Sequence, residues 1–269
     1  MNKFKLGDTA LITGASSGIG EEFALQLGRL GLNLILIARR VELLEKLKIK
    51  IQKNNNIDVK IFKADLSTTN WTDSIPDIEN FKVDLLINNA GTGYPDEFGS
   101  FDFETDKNLI QLNCITPLEL THLFLPKMKQ KKSGGIIYVS STMGMQGIPY
   151  MAQYSATKGY LLNLGESLYT ECKKYNVSIE VLLPGATKTP GINLHAVEYE
   201  KLPIKWMTPE DVVKISLNNL GRKALIIPGK LNKLSASIST CVCTRKEIQK
   251  IMNHFAKKII KKASNTNYS

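Results

Sequence analysis

Cysteine is scarce here. Four in 269 residues are too few for a disulfide scaffold, and a chain of this length holds its core without staples. Long apolar runs are absent too. None reaches the roughly 18–20 residues needed to span a bilayer. The start, Met1-Asn2-Lys3-Phe4-Lys5, leads at once into a strand-like segment without the apolar core of a signal peptide. The expectation is a reduced, cytoplasmic protein. The three histidines, His122, His195 and His254, stand far apart. Cys241-x-Cys243 lacks a matching second pair, so no metal site is expected.

There is no acidic excess either. The formal net charge is +10, but it is unevenly placed. Residues 222–269 hold 11 Lys and Arg and a single acid, Glu247, whereas residues 1–221 hold 24 basic and 24 acidic groups. The body is neutral and the excess belongs to the tail, so charge alone does not argue for a nucleic-acid partner.

What is present is an ordinary globular composition, 43% apolar and 22% charged. Short apolar runs alternate with helical periodicity. The runs are Thr9–Thr13, Leu34–Ala38, Val59–Phe62, Val83–Ile87, Gly135–Val139, Ser178–Leu183 and Ala224–Ile227. Between them lie helical stretches to about Leu30, over Val41–Lys53, and over Leu109–Met128 as one long helix. Continuous apolar strands between helices are buried on both faces. The expected fold is therefore α/β: a Rossmann-type, doubly wound, mostly parallel sheet of seven strands flanked by helices. The chain reads as a single domain over 1–269, with its core at about 5–228 and a basic appendage at 229–269.

Gly14-x-x-x-Gly18-x-Gly20 follows the first strand and opens a helix. Glycines let a backbone turn tightly against a pyrophosphate, and the helix N-terminus offers it free N–H groups and partial positive charge. The spacing differs from the generic G-x-G-x-x-G fingerprint, and a plain strand–helix turn is the bland alternative. The second strand ends in Arg39-Arg40, without the acid that would take a ribose 2′-hydroxyl. Two guanidinium groups there favour a 2′-phosphate, hence NADP(H), and the role is assigned mainly to Arg39.

Tyr154-x-x-x-Lys158 sets two side chains one turn apart on a helix face. Tyr169-x-x-x-Lys173 does the same, but only the first pair follows soon after a strand, at the sheet edge where ligands bind. Hydride reduction of a carbonyl leaves an alkoxide that must be protonated. A free phenol, with a pKa of about 10, needs tuning for that work. A neighbouring ammonium favours the phenolate, and a serine such as Ser141 can hydrogen-bond the substrate oxygen as charge develops.

In this order Thr13-Gly14-Ala15-Ser16-Ser17-Gly18-Ile19-Gly20, Asn88-Asn89-Ala90-Gly91, Asn113, Ser141, Tyr154-Ser155-Ala156-Thr157-Lys158 and Pro184-Gly185-Ala186-Thr187-Lys188-Thr189 resemble the short-chain dehydrogenase/reductase family over roughly residues 5–228. The resemblance implies that Tyr154 is the general acid/base. It implies that Lys158 holds the nicotinamide ribose and tunes Tyr154, that Ser141 polarises the carbonyl, and that Asn113 kinks its helix and anchors a relay water. It implies cofactor contacts from Gly14, Ser16, Ser17, Gly18, Ile19 and Gly20, from Asp65 and Leu66 at the adenine, and from Asn89, Ala90 and Gly91 at the adenosine ribose. Pro184, Gly185, Thr187 and Thr189 would position the nicotinamide. Many NADP-preferring members carry a basic residue within the glycine loop where Ser17 stands here, so the preference rests on Arg39 and Arg40. Homodimers or homotetramers are usual in the family.

The stretch Pro190–Met207 is apolar (Ile192, Leu194, Val197, Tyr199, Leu202, Ile204, Trp206, Met207) and ends at a capping sequence, Thr208-Pro209-Glu210-Asp211. An apolar lid suits an apolar ketone or secondary alcohol. Met143 and Met145 are candidate pocket linings. In the tail, Ile248, Ile251, Met252, Phe255 and Ile259 recur at helical spacing within Glu247–Lys262 among lysines. This basic amphipathic helix packs on its own domain or on a partner subunit, or rests weakly on an anionic membrane surface. The functional expectation is an NADP(H)-dependent oxidoreductase, with a non-catalytic NADP(H)-binding sensor or scaffold as the alternative.

Overall fold

The computed structural model describes residues 7–190, 206–241 and 244–254. The seven expected strands are present: β1 (Thr9–Thr13), β2 (Asn33–Ala38), β3 (Val59–Lys63), β4 (Leu85–Asn88), β5 (Gly135–Val139), β6 (Ser178–Leu182) and β7 (Leu225–Ile226). They form one parallel sheet in the order β3-β2-β1-β4-β5-β6-β7. Successive side chains of a strand point to opposite faces, and two buried clusters result. Ala10, Ile12, Leu34, Leu36, Leu85, Ile87, Ile137 and Val139 face one side, against Phe23 and Leu27 of α1 (Gly18–Arg29), Leu44 and Leu47 of α2 (Val41–Gln52), and residues of the helix at 209–219. Leu11, Ile35, Ile37, Leu86, Ile136 and Tyr138 face the other. Apolar residues fill both faces because helices cover both, which is why the strands lack polar alternation.

The second helical layer differs from the expectation. The stretch read as one helix over Leu109–Met128 starts earlier and is interrupted. α3 (Phe103–Ile110) begins at Asp102, whose carboxylate accepts from the Thr105 N–H at 2.7 Å. One wide π-turn follows over Gln111–Ile115, then α4 (Thr116–Lys131). Apolar periodicity follows a straight helix and does not register one extra residue per turn. α5 (Ala152–Cys172) carries the Tyr-x-x-x-Lys pair. α6 (Pro209–Asn219) has the expected cap: Thr208 Oγ1 accepts from the Asp211 N–H. α7 (Lys230–Cys241) follows β7. Residues 245–254 are helical and open on a reciprocal cap, in which the Thr244 N–H donates to Glu247 Oε2 and the Glu247 N–H to Thr244 Oγ1. The remainder of the expected tail helix lies outside the described residues, as do lid residues 191–205, His195 among them.

The strand order reverses between β1 and β4. Crossovers leave this point in both directions, and a crevice opens at the carboxyl ends of the strands, where open α/β sheets bind ligands. Gly14, Asn89 and Ser140 lie just past those ends.

Candidate active site

Past β1 the backbone turns on Gly14 (φ +65°) and Gly18 (φ +62°), conformations that side chains oppose. Gly20 is held by crowding: a Cβ there would lie 2.4 Å from the Gly14 carbonyl oxygen. Asn89 stitches the loop from the next strand, its Nδ2 donating to the carbonyls of Thr13 (2.8 Å) and Gly14 (3.3 Å). Thr13 Oγ1 in turn accepts from the N–H groups of Asn89 and Ala90. Asn89 is thus committed to loop geometry. Ser17 precedes α1 and makes no capping hydrogen bond to it, which leaves the first-turn N–H groups for an anion. Thr189 closes the far side, its side chain 3.0 Å from where a Cβ on Gly18 would sit. Thr187 turns back to its own loop, donating to the Gly185 carbonyl.

The arginine pair divides in an order the sequence does not reveal. Arg40 reaches over the glycine loop and donates to Ser16 Oγ (3.0 Å) and Ser17 Oγ (2.6 Å). Arg39 extends the other way, 3.9 Å from Asp65 Oδ2, with both side chains well exposed. Asp65 also accepts from the Ser67 N–H and hydroxyl. The Leu66 side chain packs in the core beneath, and its carbonyl accepts from Thr116.

The catalytic candidates meet beyond β4 and β5. The π-turn carries Asn113 into the interior, where its side chain clamps the Thr92 backbone in both directions. Nδ2 donates to the Thr92 carbonyl (2.8 Å) and Oδ1 accepts from its N–H (3.0 Å). Nδ2 also donates to Thr157 Oγ1. Lys158 is buried and donates to the Val139 carbonyl at 2.9 Å. Its Nζ lies 5.7 Å from the centre of the Tyr154 ring. Gly91 is the hub, since a Cβ there would stand 3.0 Å from Lys158 Nζ and 3.1 Å from Asn113 Oδ1. Gly93 lies flat on Tyr154, with room for no side chain: a Cβ would meet Cδ2 at 2.3 Å. Ser141 Oγ accepts from the Met143 N–H, and its hydroxyl is hydrogen-bonded with Tyr154.

Burial sets the electrostatics. It pushes the Tyr154 phenol above its ordinary value, and a hydrogen bond with Ser141 pulls the other way. It lowers Lys158 to about 8. At neutral pH both groups therefore hold their protons. Sequence reasoning missed Thr92, Gly93, Thr157 and Ser140, whose hydroxyl donates to the Lys158 carbonyl. Thr157 sits inside the Tyr-x-x-x-Lys motif and could have been questioned, whereas Thr92 acts through its backbone and leaves no signal in residue type. Met145 packs on Leu162, Val181 and Leu183. Cys241 and Cys243 have side chains outside the described set.

These residues fit a nicotinamide dinucleotide. The positive-φ glycine loop faces a helix N-terminus, and glycine at 91 keeps the space before Lys158 clear. Both amide atoms of Asn88, buried at the end of β4, have no partner among the described residues, and such groups call for one.

Comparison with known proteins agrees with the geometry. The family model for short chain dehydrogenase matches residues 8–196. A 7beta-hydroxysteroid dehydrogenase of Mediterraneibacter gnavus is 30% identical over 235 residues, covering 86% of this chain and 89% of that protein. A solved 7beta-hydroxysteroid dehydrogenase structure superposes with a TM-score of 0.84 at 26% identity, over 93% of this chain and 98% of the other. A short-chain dehydrogenase from Sphingobium yanoikuyae in complex with NADPH does so at 0.77 and 27%, over 88% and 96%. With its glycine loop, sheet order and matched sequence, the chain belongs to the short-chain dehydrogenase family.

Proposed function

We propose that the protein is an NADP(H)-dependent oxidoreductase that interconverts an apolar ketone and its secondary alcohol. The observation that carries this reading is the cluster in which Asn113 and Lys158 meet at Gly91, Tyr154 lies against Gly93, and Ser141 is hydrogen-bonded with Tyr154. The nicotinamide, when bound, supplies or accepts the hydride. Ser141, hydrogen-bonded with Tyr154 before substrate arrives, turns its hydroxyl to donate to the substrate oxygen, where negative charge develops. The Tyr154 phenol, kept protonated by burial, gives its proton to that oxygen as the alcohol forms and takes it back in oxidation. Lys158, anchored on Val139, holds its ammonium beside the phenol and favours the phenolate left behind. Asn113 positions the Thr92 backbone and, through Thr157, the first turns of α5.

The NADP preference is supported by Arg40, which stands over Ser16 and Ser17 and brings a guanidinium to the place where the glycine loop has no basic residue. Arg39 points away from the glycine loop toward Asp65. The apolar substrate class is supported by Tyr94, Phe98 and Phe101, exposed in the loop beyond Gly93, and by the steroid named for the Mediterraneibacter relative. Cys114 and Cys172 are free thiols, consistent with a reducing, cytoplasmic setting. A homodimer or homotetramer remains the assembly carried over from the resemblance.

The test is oxidation of NADPH and NADH across apolar ketones, acyl carriers and sugars. Turnover with NADPH and an apolar ketone, abolished by Tyr154→Phe, supports the reading. NADPH binding without turnover of any carbonyl would leave the sensor or scaffold reading in its place.

A further inference from the structure

α7 is built inside out. Its inward side carries Ala236 and half-buried Asn232, which donates to the Pro228 carbonyl at 3.0 Å and fills the space beside Gly185. Its apolar residues point away. Leu231, Leu234 and Ile238 recur at i, i+3 and i+7, on one stripe, and are 58%, 57% and 43% exposed. A helix of a globular protein puts that stripe on its core, and a contiguous exposed apolar stripe marks a surface that something else covers.

The surrounding charge says what covers it. Lys230 and Lys233 flank the stripe. The next helical segment carries exposed Arg245, Lys246 and Lys250, which line the cavity beside Gly144–Pro149 and Tyr160 and add to the positive charge of this end of the chain. None of these five is in an ion pair among the described residues, and Glu247, the only acid after residue 221, is occupied in the cap at Thr244. A second copy of this face would set lysine against lysine. An anionic bilayer surface satisfies both features, taking the apolar stripe at the acyl boundary and the cations at the headgroups. No helix among the described residues is long and apolar enough to cross a membrane, so the contact is one of surface attachment. We infer that the outer face of α7, with Leu231, Leu234 and Ile238 framed by Lys230 and Lys233, docks the protein on anionic phospholipid membranes. α7 starts beside Gly185 and packs near Thr142–Met145, so docking brings the bilayer next to the segments that flank Ser141.

The full-length protein is sedimented with vesicles of phosphatidylcholine alone, or with roughly one third phosphatidylglycerol, at low and high salt. The expected result is binding to the anionic vesicles only, weakened by salt. It should fall at least ~10-fold in Leu231→Ser/Leu234→Ser/Ile238→Ser and again in Lys230→Glu/Lys233→Glu. Both variants should keep the wild-type melting temperature and NADPH affinity, since the exchanged side chains are exposed. Wild-type protein that stays in the supernatant, or variants that sediment as the wild type does, would overturn the inference. So would an oligomer that the triple serine variant dissociates while vesicle binding persists, for the stripe would then be an interface between copies.

Discussion

Lys158 donates to the main-chain carbonyl of Val139 at 2.9 Å, a bond from α5 to the last residue of β5. It fixes the ammonium where the strand ends, so the helix and the sheet edge share one reference point. Burial there lowers Lys158 to about 8. Below that value the ammonium is present and ketone reduction runs at its plateau. As pH rises through about 8 the charge is lost, and kcat/KM for reduction should fall. Lys158→Arg, whose cation does not titrate in this range, should move the fall to higher pH even where it lowers the plateau. A pH–rate profile of both proteins checks this; the same inflection in the two would remove Lys158 as its source.

Tyr154→Phe removes one oxygen from a ring that rests on Gly93, so the fold and the cofactor crevice should be unchanged. Turnover should drop by about 10²–10⁴, while NADPH binding followed by fluorescence stays near wild type. Residual activity above a tenth of wild type would contradict the proton-transfer role.

Arg40→Ala should raise KM for NADPH by roughly tenfold or more and leave NADH nearly unaffected, because a charge-assisted phosphate contact is lost. Arg39→Ala, at an exposed ion pair with Asp65, should cost less. Steady-state kinetics with both cofactors separates the two arginines, and equal losses would show that neither is favoured.

Glu180 on β6 is buried opposite Ser216 of α6, which donates to one carboxylate oxygen while the other has no partner among the described residues. Burial raises its pKa to about 8. Between the ordinary carboxylate value and about 8 the folded chain binds a proton that the unfolded chain does not. Stability from this group therefore falls as pH rises through that window and levels off above it. Glu180→Gln should raise Tm by a few degrees at pH 8, on the order of 2–4 °C per kcal/mol gained, and by little at pH 5. Thermal melts across the range test it; a gain independent of pH would point to packing alone.

Much of this site is legible in the residues, for stated physical reasons. Strands such as Thr9–Thr13 and Leu34–Ala38 declare themselves because burial on both faces leaves no place for polar residues. The glycine loop is legible because Gly14 and Gly20 have no room for side chains. What was hidden depends on geometry that residue type does not encode. Arg39 and Arg40 are neighbours at a strand end, and adjacent side chains diverge, so residue type does not say which of them reaches the glycine loop. Thr92 serves through its backbone. The outward stripe of α7 has the periodicity of a core helix, and periodicity does not say which way a stripe faces.

The π-turn at Gln111–Ile115 lodges one residue more than a regular helical turn would hold. Delete one residue there and α3 and α4 could join as a single α-helix, with better backbone geometry and a fault in the site. The flanking helices would keep their faces, since the π-turn already absorbs the extra residue, but the bulge that carries Asn113 inward would be lost, and Asn113 would no longer meet Thr92 and Thr157. The chain thus keeps a local irregularity whose removal would suit the helix and disable the crevice. A length change of one residue at this point is therefore a sharper probe of the site than most substitutions in it.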